Sequence, residues 1–177
     1  MPAMRAEPGR TTRGLRAIGR FLLWIPWPFA LLLAGAWALL IFDLSSHRVP
    51  ILAHPSLFWE FLSNLAHAPL FGILTLFVAA LVLRERERDW PRPRRARIAL
   101  VLVSVLAYGA FDELHQSRTP GRDASLLDVS TDVVSGAVVL WIVSTLGCED
   151  LRERTLLGRL GVGALLCVAS ATLALLS

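Results

Sequence analysis

Residues 98–146 read IALVLVSVLAYGAFDELHQSRTPGRDASLLDVSTDVVSGAVVLWIVSTL, two apolar runs joined by a short, highly charged stretch. Each run, Ile98–Leu114 and Leu126–Leu146, approaches the roughly 20 helical residues that cross a hydrocarbon core of about 30 Å. Pro120 presets φ and Gly121 supplies a positive one, so the connection reads as a tight turn between antiparallel helices. Polar residues sit where hydrocarbon should give way to water. Asp112, Glu113, His115 and Gln116 close the first helix, and Ser125, Asp128 and Asp132 open the second. An ionisable group at membrane depth costs about 2.5–3.5 kcal/mol on insertion scales. Such groups imply a reason: packing, a substrate, an ion or a metal.

Further apolar runs lie at Phe21–Phe42, Phe61–Leu83 and Leu156–Leu176, and hydrophobic residues make up 55% of the 177-residue chain. The expected fold is all-α, a polytopic transmembrane bundle of about five spans, and the soluble classes are excluded. Residues 1–20 read as a basic tail and 21–177 as a single bundle. The first run is longer than the 7–15 apolar residues of a signal peptide and lacks a small-x-small cleavage site, so it reads as an uncleaved anchor. Trp24 and Trp27, with Pro26 and Pro28, stand near its start, where indoles favour the interface and prolines do least damage.

Every formally positive side chain is arginine. Five lie before residue 21, seven in 84–97 and three in 148–159, against Arg48 in one remaining connection and Arg118 with Arg122 in the other. The positive-inside rule then predicts a cytoplasmic N-terminus, extracytoplasmic loops at 43–60 and 117–125, and a multi-pass protein of the cell membrane. The arginines of 84–97 are diluted by three acids and lie between two spans, so they predict anionic-lipid contact, not nucleic-acid binding. Cys148 and Cys167 fall at different depths, which excludes a disulfide between them.

With this topology three polar sets share one depth, towards the outer leaflet. Ser63, Asn64 and His67 fall in the outer half of the second span, Asp112–Gln116 end the third, and Ser125, Asp128 and Asp132 begin the fourth. At about 100° per residue, Tyr108, Asp112, His115 and Gln116 form one stripe with Glu113 beside it. Ser125, Asp128, Asp132 and Ser135 form another, and Asn64 and His67 share a face. Turned inward, the stripes predict a pocket of acids and imidazoles, with Gly109, Ala110 and Gly136 allowing close approach of the helices. Ser125-x-x-Asp128 also has the form of a capping box, so Asp128 has a structural explanation that Asp132, a turn deeper, does not. Arg122 is either an interfacial anchor, a partner for Asp123 or an anion contact at the pocket mouth.

These residues carry a resemblance. Asp112-Glu113-x-His115-Gln116, Pro120-Gly121-Arg122 and Ser125-x-x-Asp128 are similar to the signature of the VanZ-like membrane proteins, over roughly residues 40–147. His67 fits that family's second motif, an acid–lysine pair followed by histidine three residues after the lysine. Ser63-Asn64 stands where that pair is usual, Asp132 where asparagine is frequent and Ser135 where glycine is. The resemblance implies a small helical protein of the cell envelope. The family takes its name from an accessory protein of glycopeptide-resistance clusters associated with teicoplanin resistance. It supplies no established reaction.

Three readings follow. In the first, an outer-leaflet pocket of Asn64, His67, Tyr108, Asp112, Glu113, His115, Gln116, Arg122, Asp128 and Asp132 binds a lipid headgroup, a cell-wall precursor or a partner. An anionic headgroup would meet Arg122, and antibiotic susceptibility would change with it. In the second, His67, Asp112, Glu113, His115, Asp128 and Asp132 supply acid/base or metal chemistry to a lipid-linked substrate. In the third, they form a proton relay or transport path, which needs polar groups in the cytoplasmic half beyond Thr75 and Ser104. No HExxH motif, nucleophile elbow or P-loop is present, and a hydrogen-bonded cluster without metal or cofactor is the expected arrangement.

Overall fold

The apolar runs become helices because a backbone inside hydrocarbon must satisfy its own hydrogen bonds, and a helix does so within one segment. The computed structural model describes residues 9–47, 57–84, 90, 94–119 and 125–176. Among these the order is α1 (Arg10–Trp24), α2 (Trp27–Ser46), α3 (Leu57–Val82), α4 (Arg95–Gln116), α5 (Leu126–Leu146) and α6 (Glu153–Leu173), with a final 3₁₀ turn at Ala174–Leu176. Five of them, α2 to α6, are long and apolar enough to cross a membrane.

The first apolar run departs from expectation. It is not one span from Phe21: the helix stops at Trp24 and restarts at Trp27, with Pro26 as the N-cap of α2 and Pro28 in its first turn. Proline lacks an N–H and clashes with the preceding turn, but it is well tolerated in a helix's first turn, so the break falls here. The span is therefore Trp27–Ser46, and Trp24 and Trp27 flank the break, both exposed. Residues 10–20, read from the sequence as tail, belong to α1.

That helix crosses one end of the bundle. Its first turn meets Glu153 at the start of α6, where Oε1 accepts from Thr11 N (2.9 Å) and Oε2 from Thr12 Oγ1 (2.6 Å). Midway, Arg16 Nε donates to Leu146 O (2.9 Å) and Nη2 to Cys148 O, satisfying carbonyls at the C-terminus of α5. At its far end Arg84, just past α3, donates to Ile25 O. Trp90 closes the same end by donating to Val143 O (3.0 Å).

Within the bundle α5 packs against α3, α4 and α6, while α2 covers α3 and α4 on the other side. Two apolar clusters fill the centre: Ile41, Phe71, Leu74 and Val105, and nearer the α1 end Ala79, Leu83, Val101 and Leu140. The polar residues gather beyond the first cluster, at the opposite end.

Candidate functional site

The site is made by α3, α4 and α5, and its centre is Asp132. This carboxylate is 1% exposed. Its Oδ1 lies 3.0 Å from His67 Nδ1, an imidazole–carboxylate hydrogen bond between α5 and α3. His67 is oriented from behind by Phe71, one turn along α3, with the two rings 5.9 Å apart and nearly parallel. Asp112 and Asp128 are buried at the same end of the bundle. Asp132 fits because α4 presents a glycine to it: a Cβ at Gly109 would stand 2.7 Å from Asp132 Oδ2. At Gly136, a turn along α5, a Cβ would lie 3.0 Å from Thr75 Oγ1 and 3.4 Å from Val105. The close approach expected at these two glycines is present, whereas Ala110 is exposed and plays no part in it.

Asp112, also 1% exposed, accepts from Gln116 Nε2 through Oδ2 at 2.7 Å, an i, i+4 bond within α4. Glu113 reaches across to α5, where its Oε2 accepts from Ser125 N (3.1 Å). That N–H is the donor a capping-box acid at Asp128 would accept. The Ser125 side chain caps α5 as expected, accepting from Leu127 N (3.2 Å). Asp128 is buried beside these groups. Among the described residues, four carboxylates therefore share one buried end of the bundle with one close imidazole, His67. Among the described residues, Asp112 Oδ1 and Glu113 Oε1 are buried with no hydrogen-bond partner.

His115 does not join this network. Its Nε2 pairs with Ser46 Oγ of α2 (2.9 Å), and its ring lies 4.2 Å from that of Phe42. Tyr108 turns the same way, donating its hydroxyl to Ala38 O of α2. The stripe read from the sequence is thus two faces: His115 lies about 60° around the helix from Asp112, enough to reach a different neighbour. Ser46 and Phe42 were not anticipated, and the one signal for them was a serine near the end of the first span at the depth of His115. Ser135 bonds locally to Asp132 O (2.9 Å), Asn64 is half-buried on α3, and Thr131 reaches Ser170 of α6 (3.0 Å). Pro120, Gly121, Arg122 and Asp123 lie outside the described residues. Among those described, no three His, Cys, Asp or Glu side chains are arranged to hold a metal ion.

A paired His67 and Asp132, with Asp112, Glu113 and Gln116 beside them, is the geometry in which to read a family match. The family model described as VanZ/LLP1 matches residues 6–147. The chain belongs to the VanZ/LLP1 family. The matched region of this VanZ/LLP1 protein holds α1 to α5 and the site residues of α3, α4 and α5; it starts well before residue 40, where the resemblance was first placed, and it excludes α6. No curated protein and no solved structure matches the chain.

Proposed function

We propose that this VanZ/LLP1 protein is a cell-envelope protein whose buried polar crypt binds the headgroup of a lipid or a lipid-linked cell-wall precursor at the outer leaflet. The observation that carries this reading is the surplus of acceptors: Asp112, Glu113, Asp128 and Asp132 are all buried, and Asp112 Oδ1 and Glu113 Oε1 have no partner among the described residues. A buried acceptor left unsatisfied costs about 1–3 kcal/mol, more when charged, and a ligand bringing hydroxyl, amide or ammonium donors would remove that cost. Ethanolamine headgroups and the sugars and peptides of wall precursors have such donors. The outward orientation is supported by the positive-inside rule, since Arg84, just past α3, and Arg94, Arg95 and Arg97, at the start of α4, lie at the other end. Arg122 would add an anion contact at the mouth.

Binding is favoured over conduction by the two apolar clusters that lie between the crypt and the α1 end. One observation favours catalysis as the second reading: a carboxylate-oriented imidazole, His67 with Asp132, is the arrangement of a general base. Lipid identification by native mass spectrometry on protein purified from its own membranes tests both. A retained lipid or wall precursor, lost in Asp112→Asn with the helical spectrum intact, is the expected result. Conversion of the added compound by wild type but not His67→Ala would replace binding with catalysis, and no retained compound in either protein would remove both. Deletion of the protein should also shift teicoplanin susceptibility.

A further inference from the structure

We infer that α1 is an interfacial helix that holds anionic phospholipid headgroups at the end of the bundle opposite the polar crypt. Its 15 residues reach about 22 Å, and it is absent from the helices able to span a membrane. Its buried side is fully used: Thr12 and Leu23 are buried, and Arg16 is committed to the α5 carbonyls. The outward side is divided. Arg10, Arg13 and Arg20 are exposed along one edge, and by helical spacing of about 100° Ile18 and Phe21 form the neighbouring edge. Those two are 57% and 60% exposed, and Trp24 at the helix end is 64% exposed. No acid occurs between Arg10 and Trp24.

An apolar flank this exposed is costly in water and stable against acyl chains, while adjacent guanidiniums match phosphate oxygens in charge and fork geometry. α1 also ends two residues before Pro26, from which α2 enters the membrane, so its C-terminus sits at the boundary. A protein partner would have to cover arginines and aromatics alike. The anionic leaflet, already present, covers both.

The test uses the full-length protein in nanodiscs containing phosphatidylglycerol and phosphatidylcholine. Wild type should retain phosphatidylglycerol preferentially by native mass spectrometry. The variant Arg10→Gln/Arg13→Gln/Arg20→Gln, which keeps Arg16 and its bonds, should lose that preference about tenfold or more. A spin label at Ile18 should report contact with acyl chains. An unchanged lipid preference in the triple variant, a water-exposed label, or cross-linking between copies through α1 would each overturn the proposal. Retention of the crypt ligand is a separate readout, so failure of one assignment leaves the other standing.

Discussion

His67 and His115 lie at one depth and were equally eligible partners for the acids, yet they have separate environments. His67 bonds to Asp132 across α3 and α5, and His115 bonds to Ser46 across α4 and α2. Coupling should follow the bonds. In a double-mutant cycle on unfolding in detergent, His67→Ala and Asp132→Asn should be non-additive by about 0.6–1.7 kcal/mol, the scale of side-chain bonds between membrane helices. His115→Ala and Asp132→Asn should be additive. Coupling of the second pair and not the first would mean that α4 is rotated relative to its neighbours. Gly109→Ala is the sharpest single change: its methyl would meet Asp132 Oδ2, whose carboxylate is already held by His67. It should cost about 1–3 kcal/mol by overpacking and weaken ligand retention, read on the same unfolding curve and mass spectrum.

At the level of elements, α1 depends on contacts supplied by other helices of the same chain. Its N-cap, Gly9, has no capping side chain, and Glu153 from α6 accepts the donors of Thr11 and Thr12 instead. Glu153→Ala should speed amide exchange at Thr11 and Thr12 several-fold while exchange in the middle of α5 stays unchanged. Equal acceleration throughout would show that α1 is part of the cooperative core. The break before α2 has a local cause, Pro26, and was written in the sequence. The run nonetheless reads as one span, because prolines near a span start are also ordinary interfacial residues and the apolar run continues across them.

Across the whole molecule, the ends differ in chemistry: buried carboxylates of α4 and α5 gather at one, and α1, Trp90 and Arg84 cover the other. Cys148 is a native reporter at the α1 end and is exposed. With Cys167→Ala, an impermeant thiol reagent on intact cells should leave Cys148 unlabelled and should label a cysteine placed at Ser117, after Cys148 is also replaced. Labelling in the opposite sense would turn the crypt towards the cytoplasm and remove the wall-precursor reading.

The number of spans, the limits of α5 and the depth shared by His67, Asp112 and Asp132 followed from sequence alone. Their cause is local: hydrocarbon thickness sets how many apolar residues a helix needs, and a fixed rise per residue sets how deep each polar side chain lies. What only tertiary structure decided is rotation and partnership. A polar stripe on α4 wide enough to face two neighbours became two faces, Tyr108 and His115 towards α2, Asp112 and Gly109 towards the interior and α5. Helical spacing can say which residues share an arc. Which neighbour occupies that arc depends on how closely the backbones approach, and here Gly109 and Gly136 let α5 come near enough for Asp132 to meet His67.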